Sequence, residues 1–281
     1  MKSTFFLALC LVLSQSVFAQ GQTAKTLIDK MFSEIDKHQT LKFNIRTKER
    51  IGERYVVKKN FMKIGYSPRK VYLKDLEEGI ELLYLDGWNS NRCYINTNGF
   101  PYVNVSFSPF SARVRKDQHH TIMEAGFWYI RKTLGYLIKK SKEENMKFDD
   151  YFKLYKDATF EGKTYYQLVM EYSNFAYVDY TLTKDESARE IAQRLNLAES
   201  LIEEKNGIGQ DKISKGKTIK IPNVYAKKVV FYVDKTSFLP VVQFVYDDKG
   251  LYEQYEYTDV VANPAFANDE FSENFKDYKF H

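Results

Sequence analysis

The sequence predicts an α+β fold in which amphipathic helices accompany a large antiparallel sheet. Apolar residues recur at helical spacing in two long segments, near the N-terminus and near the middle of the chain. Between and after them come short segments in which apolar and polar residues alternate, as in half-buried strands. Turn-forming residues separate these segments at close intervals, and parallel strands would need longer crossovers. The strands are therefore expected to be antiparallel.

The first residues have the features of an export signal. Lys2 supplies a positive charge, residues 5–13 are an apolar run, and Val17-Phe18-Ala19 precedes the expected cleavage. The run is too short to span a bilayer, and no later stretch could be a membrane helix. We therefore expect residues 1–19 to be a signal peptide cleaved after Ala19. The mature protein would be exported to the periplasm or cell envelope without spanning the membrane.

The two cysteines lead to different expectations. Cys10 follows Leu7-Ala8-Leu9, an order similar to a lipoprotein box, but Leu9 is too large for its position. Ordinary cleavage is therefore the prediction and lipidation the alternative. Cleavage would leave Cys93 alone, so that no disulfide could form within the chain.

Composition and charge exclude some classes of protein. Hydrophobic residues make up 44% of the chain and charged residues 28%, which is typical of a globular protein rather than a disordered one. The net charge of +5 favours anionic surfaces only weakly and does not indicate a nucleic-acid partner. The 22 Tyr and 21 Phe fit half-buried strands or a wide apolar surface.

The first half of the chain predicts a helix, a strand meander and a second helix. The first helix has one apolar face: Leu27, Ile28, Met31, Phe32 and Ile35. From residue 41 the period changes to two, and further strand candidates follow at 54–65, 69–75, 79–85, 91–96 and 101–107. The second helix is predicted from about 120 to 140, and it is expected to lie across an apolar face of the sheet. Its stripe is Met123, Phe127, Ile130, Leu134, Leu137 and Ile138.

The second half predicts strands on either side of a more polar, helical segment. Strand character returns at 164–172 and again at 225–233, 239–246 and 251–258, and the tail from 262 is expected to be irregular. Residues 179–222 read as strand, helix, helix, strand. Ser187 to Glu190 form a capping box for the first of these helices, and Asn196 to Glu199 repeat that signal for the second. We therefore predict a βααβ module inserted at a hairpin tip.

The inserted segment resembles the lysin motif (LysM) over its whole length. The residues that carry the resemblance are Tyr180-Thr181-Leu182, Asp185 to Ala188, Ile191-Ala192, Leu201, Asn206, Gly216 to Ile219 and Ile221-Pro222. The resemblance implies binding of peptidoglycan or a related N-acetylglucosamine glycan in a shallow groove. Its walls would be two loops, Asp185, Glu186 and Ser187 in one and Asn206, Gly207 and Ile208 in the other.

This sequence departs from the lysin-motif pattern at two positions. Asp185 replaces the usual Gly, and Ala188 replaces a larger apolar residue. A side chain at position 185 would block a sugar or bend the loop. The alternative is a βααβ spacer that has lost glycan binding.

The remainder, residues 20–178 and 223–281, resembles the periplasmic lipoprotein-carrier fold of the LolA and LppX type. The resemblance rests on the order of helix, meander, helix and further strands, without a diagnostic motif. It implies an antiparallel half-barrel sheet with helices on its concave face. Such a domain would hold a lipid or a lipoprotein acyl chain in an apolar cavity, although an ordinary aromatic core would use the same residues.

No residue pattern predicts catalysis, and we predict no cofactor and no metal site. Cys93 lies in a strand-like segment and is expected to be a core residue rather than a nucleophile. His119 and His120 stand at a predicted helix start, where one would cap the helix or face solvent, and His-x-x-x-His zinc spacing is absent.

The predicted function is that of a non-catalytic exported envelope protein. It combines LysM-like binding of glycan with a carrier-type domain that holds a lipid or apolar ligand. The alternatives are a peptidoglycan-active hydrolase with a dispersed site and a purely structural envelope adaptor.

Overall fold

The computed structural model of the chain describes residues 22–100 and 102–280. The predicted signal peptide, residues 1–19, and its cleavage after Ala19 lie outside the described residues. The helices are α1 (Ala24–Asp36), α2 (Phe127–Glu143), α3 (Phe148–Tyr151), α4 (Ala188–Leu195) and α5 (Glu199–Asn206). The strands are β1 (Thr40–Ile51), β2 (Arg54–Gly65), β3 (Lys70–Asp75), β4 (Glu81–Leu85), β5 (Cys93–Asn96), β6 (Asn104–Phe107), β7 (Phe152–Phe160), β8 (Lys163–Glu171), β9 (Tyr177–Thr181), β10 (Glu186–Ser187), β11 (Lys212–Ile213), β12 (Thr218–Pro222), β13 (Lys228–Asp234), β14 (Pro240–Asp247) and β15 (Gly250–Ala262).

Eleven strands form one sheet in the order β6-β5-β4-β3-β2-β1-β15-β14-β13-β8-β7. Each neighbouring pair is antiparallel. The predicted α+β class with a large antiparallel sheet is therefore confirmed. β1 and β15 lie side by side near the middle of the sheet, although their paired residues are more than 200 positions apart in sequence.

The two faces of the sheet are covered differently. On one face, α1 and α2 pack against side chains such as Ile64, Val71 and Leu82, within a single apolar core. On the other, Tyr72 and Leu83 pack with the C-terminal tail, whose Phe271 is buried. Neighbours in a strand point to opposite faces, so the same strands supply both layers. The tail contains no helix or strand in the described residues, as predicted.

Helix α1 forms where its sequence favours it. Thr23 caps its N-terminus through a hydrogen bond from the backbone N–H of Thr26. Leu27, Met31 and Ile35 are at most 1% exposed, so the predicted apolar face is the face that packs on the sheet. The second predicted helix starts later than expected. A 3-10 turn at Ile122–Glu124 precedes α2, and Gly126, with φ of 89°, separates them.

Residues 177–222 form an excursion from the large sheet. The chain leaves after β8 and returns at β13, and these two strands are hydrogen-bonded neighbours. β9 pairs with β12, β10 pairs with β11, and α4 and α5 lie between. The capping box of α4 at Ser187 is present as predicted.

The predicted second capping box is wrong. Asn196 adopts a left-handed conformation, with φ of 53°, and ends α4 instead of starting α5. The link between the two helices is short, and asparagine tolerates this conformation better than most residues. α5 begins after Ala198, which provides no side-chain cap.

Helix α5 packs on two cores at once. Ile202 is fully buried in a small core of the excursion itself, with Leu182, Ile191 and Ile219. Leu201, one residue earlier, belongs to the core beneath the large sheet and is 1% exposed. The excursion is therefore packed against the sheet by apolar contacts as well as by ion pairs.

Among the residues described, no helix combines the length and apolar character that a bilayer crossing requires.

The two-sided packing of α5 leads to a stability prediction. Leu201→Ala removes a fully buried side chain from the main core, so the free energy of unfolding should fall by about 2–5 kcal/mol. Urea unfolding followed by circular dichroism measures this loss. Leu76→Ala is the control, because Leu76 is 49% exposed and its change should stay within about 0.5 kcal/mol. A loss no larger than the control's would show that α5 does not share the main core.

Candidate functional site

A cleft of about 820 Å³ lies between the excursion and the sheet with its helix α2. Ligand pockets in proteins typically measure about 300–1,000 Å³, so this cleft is large enough for a small-molecule ligand. One wall comes from α2 and the turn before it, with Met123, Ala125 and Trp128. The opposite wall comes from α4 and α5 and includes Ala192, Leu197 and Ala198.

The floor of the cleft contains a buried carboxylate, Glu253 of β15. Its side chain is 1% exposed. Its Oε1 atom lies 2.9 Å from Nδ1 of His119 and 3.4 Å from Nε2 of His120, and the Tyr225 hydroxyl donates to its Oε2 at 3.1 Å. Burial by itself would raise the pKa of Glu253, but the charge of His120 and the hydrogen bond from His119 lower it to about 2. Glu253 is therefore ionised throughout the physiological range.

His120 has a hydrogen-bonding partner at each of its ring nitrogens. Its Nδ1 lies 3.1 Å from Oε2 of Glu124, and its Nε2 lies 2.9 Å from the hydroxyl of Tyr225. Burial would lower the pKa of His120, but the charge of Glu253 and the hydrogen bond to Glu124 raise it well above its ordinary value. A buried carboxylate thus keeps a positive charge on this imidazole.

Two further hydrogen bonds extend the floor. The backbone N–H of His119 donates to Oε2 of Glu49 at 2.9 Å, and the Tyr255 hydroxyl donates to Oε1 of the same carboxylate at 2.7 Å. Nε2 of His119 lies 3.0 Å from the carbonyl oxygen of Arg50. The segment before α2 is thereby tied to β1 and β15.

The floor does not contain a nucleophile paired with a base. Within residues 22–100 and 102–280, neither imidazole makes a hydrogen bond to a serine, threonine or cysteine. Cys93 is fully buried, and burial raises the pKa of its thiol to about 12, as expected for a core residue. In the described part of the chain, no group of three or more His, Cys, Asp or Glu side chains is placed to hold a metal ion.

The environment of the His pair differs from the sequence prediction. His119 is buried and His120 is partly buried in the network, so neither faces solvent as a free helix cap. Their main partner, Glu253, is 134 residues from His119 in sequence. No local pattern marks such a pair, and sequence reasoning missed both Glu253 and Tyr225.

The space beneath the helices is much smaller than the cleft. A pocket between α2 and the sheet, lined by Met62, Ile130 and Tyr257, has about 110 Å³, and another under α2 has about 40 Å³. The rings of Phe43 and Phe127 pack against Tyr257 at centroid distances of 5.2 and 4.6 Å and fill the interior. Of these three spaces, the cleft is the one whose volume lies in the range of ligand pockets.

The residues predicted to bind glycan lie in two adjacent loops of the excursion. Pairing of β10 with β11 places Glu186 opposite Ile213 and Ser187 opposite Lys212, next to the loop that follows α5. Asp185 is exposed and accepts a hydrogen bond from the backbone N–H of Lys215 at 2.8 Å. The two predicted walls are therefore neighbours.

Most of the polar side chains in these loops already have structural partners. Glu186 is buried and pairs with Arg194 at 2.8 Å, and Ser187 caps α4. Asn206 donates to the carbonyl oxygens of Ile202 and Lys220 and accepts from the backbone N–H of Lys220.

The remaining two predicted glycan-binding residues also serve the excursion's structure. Gly207 ends α5 in a left-handed conformation, with φ of 59°, and Ile208 packs against the small core. Of the six predicted residues, Asp185 and Gly207 are exposed.

Residues 36–184 match the model of the family described as "Protein of unknown function (DUF1571)", and the chain belongs to this family. No curated protein matches the sequence.

The fold is similar to several solved structures. The lipoprotein LppX of Mycobacterium tuberculosis is 7% identical, with a TM-score of 0.40 over 86% of this chain and 97% of that one. A LolA superfamily protein from Nitrosomonas europaea is 11% identical, with a TM-score of 0.32 over 90% and 98%. A DUF1329 family protein from Desulfovibrio piger is 10% identical, with a TM-score of 0.33 over 89% and 98%.

The charged floor leads to a pH-dependent stability prediction. Glu253→Gln removes the more deeply buried counter-charge of the His120 imidazolium and leaves Glu124 as its one carboxylate partner, so the free energy of unfolding near pH 6 should fall by about 3–5 kcal/mol. Because the folded-state pKa of Glu253 is lowered from 4.5 to about 2, the benefit of its charge is complete above 4.5 and is lost as pH falls towards 2. Because the pKa of His120 is raised from 6.5, its benefit is complete below that value and is lost as pH rises through the raised pKa.

Urea unfolding at about pH 3, pH 6 and strongly alkaline pH measures the difference between wild type and variant. That difference should be largest near pH 6. Glu77→Gln, which removes one partner of an exposed ion pair with Lys59, is the control and should change stability by less than about 1 kcal/mol. A difference for Glu253→Gln that does not vary with pH would contradict the ionised floor.

Proposed function

We propose that this member of the DUF1571 family is a non-catalytic, exported envelope protein that holds the acyl part of a lipid or lipoprotein. The ligand would lie in the cleft between α2 and the excursion. The observation that carries this proposal is a cleft of about 820 Å³ with apolar side chains on both walls. Its size lies in the range of ligand pockets, whereas the spaces beneath the helices lie below it.

The wall residues supply the apolar contact that an acyl chain needs. Trp128 is 47% exposed and lies on the first turns of α2, facing the cleft that Leu197 lines from the other side. When a ligand covers the exposed apolar surface of such a side chain, the complex is stabilised by about 25 cal/mol for each Å² removed from water. In this proposal the helix-covered face is the inner face of a half-barrel, and the excursion forms a second wall outside it.

The wall leads to a binding prediction. Trp128→Ala should weaken binding of a fluorescent long-chain acyl probe by about 5- to 30-fold, the equivalent of about 1–2 kcal/mol of lost apolar contact. Tyr155→Ala is the matched control, because Tyr155 is 50% exposed and belongs to β7, outside the cleft. Native mass spectrometry of the purified protein should also show bound lipid. If no lipid is found and no acyl probe binds, a structural adaptor becomes the better reading.

Glycan binding by the excursion is the second candidate function. In this proposal residues 179–222 are a LysM-like module, and residues 20–178 and 223–281 form the carrier-type domain around it. The adjacency of the two predicted loops, fixed by β10 and β11, supports the proposal. Peptidoglycan or a related N-acetylglucosamine glycan would contact their backbone groups, and the module would hold the carrier domain near the wall.

The glycan proposal predicts retention of the full chain on insoluble peptidoglycan or chitin. Gly209 lies in the loop after α5 with open space around the position of a side chain, so Gly209→Arg should abolish retention without disturbing the fold. Gly99→Arg, in the turn between β5 and β6, is the control and should be retained like wild type. If the wild-type chain is retained on neither peptidoglycan nor chitin, glycan binding is contradicted. Clearing of purified wall in a zymogram would instead support a hydrolase.

A further inference from the structure

Each carboxylate that lines the cleft has a basic side chain of the protein as its partner. Four acidic residues line it, and each has a partner within 4.0 Å. Asp36 pairs with Arg131 at 2.9 Å. The four residues are Asp36, Glu124, Glu199 and Glu253. The acidic side chains therefore leave the cleft without an unpaired carboxylate.

Two permanent cations of the lining lack such a partner. Neither Arg69 nor Lys132 has a carboxylate within 4.0 Å in the part of the chain that the structure describes. Lys132 is exposed on α2, and Arg69 is 8% exposed at the end of the loop between β2 and β3. The unmatched permanent charge in the cleft is therefore positive.

Arg69 has hydrogen-bonding capacity left over. Its Nη2 donates to the carbonyl oxygens of Ile122 and Ala125 at 2.5 and 3.2 Å, which fixes the guanidinium beside the start of α2. Its buried Nε has no hydrogen-bond partner within the described residues. The nearby carboxylate of Asp86 accepts from the backbone N–H of Arg69 rather than from its side chain. A buried guanidinium with an unused donor is costly unless an acceptor reaches it.

Two other features belong to the same end of the cleft. Nδ1 of His38 is buried without a hydrogen-bond partner among the described residues, and His38 lines the cleft together with Arg69. The N-terminus of α2, a helix of 17 residues, has Gly126 as its cap, which offers no side chain, and the hydroxyl of Tyr66 lies against the first backbone N–H groups of the helix. Its first turn contains no acidic residue. The positive end of a helix dipole favours an anion at this place.

We propose that the ligand of the cleft is an amphipathic anion whose carboxylate or phosphate group lies between Arg69 and Lys132 at the start of α2. This inference rests on the proposed function, because the acyl part of the same ligand would follow the apolar walls. The guanidinium supplies donors in a fixed plane, and the ammonium of Lys132 supplies a mobile charge at the rim.

The fluorescence of Trp128 reports binding directly, because the chain has two tryptophans and Trp88→Phe leaves Trp128 alone. Titrations with dodecanoate, dodecyl phosphate, uncharged dodecanol and inorganic phosphate separate the head group from the chain. Dodecanoate and dodecyl phosphate should bind about 10-fold more tightly than dodecanol at low salt, the equivalent of about 1.4 kcal/mol. Added salt should reduce this preference. Inorganic phosphate should bind much more weakly than either.

Lys132→Gln tests the charge without disturbing the core. It should lower the preference for dodecanoate over dodecanol by about 2- to 3-fold and leave dodecanol binding unchanged. Lys139→Gln is the matched control, because Lys139 is on the same helix, pairs with Glu143 and does not line the cleft. Arg69→Gln should have the larger effect, with circular dichroism confirming that the variant is folded.

The outcomes separate this inference from the proposed function. Equal binding of dodecanol and dodecanoate would overturn the anion site and leave the acyl cleft standing. No response to any dodecyl compound would overturn the acyl cleft. Inorganic phosphate that binds as tightly as dodecyl phosphate would show a free-anion site and overturn the placement of a lipid head group.

Discussion

The burial of one carboxylate constrains much of this structure. Glu253 lies in the first third of β15, the last strand of the chain, with 1% of its side chain exposed. An ionised group at such a depth persists only with charged or hydrogen-bonding partners. His119, His120 and Tyr225 provide them, and they come from two distant parts of the chain. These contacts hold the segment before α2 and the returning end of the excursion against β15.

The cleft follows from that arrangement. Tyr225 stands between β12 and β13, where the excursion rejoins the sheet, and His120 stands just before the turn that leads into α2. Because both contact the same carboxylate, α2 and the excursion are kept on either side of one polar floor. Leu201 adds apolar packing, and Arg115 pairs with Glu199 at 2.9 Å across the same boundary. The cleft is thus a gap between two packed bodies rather than a void in one of them.

The local sequence pattern predicts those helices and strands whose formation depends mainly on neighbouring residues. The apolar faces of α1 and α2 and the alternation in β1 and β2 follow from periodicity, and Ser187 marks the start of α4. β7 was missed because it is an edge strand with few buried residues, so its sequence lacks clear alternation. Asn196 was misread because its short polar side chain suits a helix start and a left-handed helix end equally well.

The polar floor could not be predicted in the same way, because its residues come from β15, the segment before α2 and the returning end of the excursion, which only the tertiary fold brings together. Position in the sheet decides that Glu253 is buried, whereas Glu77, of the same residue type, remains exposed.

The excursion has used many of its polar side chains for its own structure. Glu186, Ser187 and Asn206 each stabilise a helix end or a strand, so their presence in a LysM-like order is explained by folding alone. Its apolar residues are divided between two cores, since Ala198 and Leu201 belong to the main core while Leu197 and Ile202 belong to the small core of the excursion. A module that only tethered the protein to the cell wall would not need these contacts with the main core. This packing holds the excursion in place as one side of the cleft, as the proposed carrier function requires.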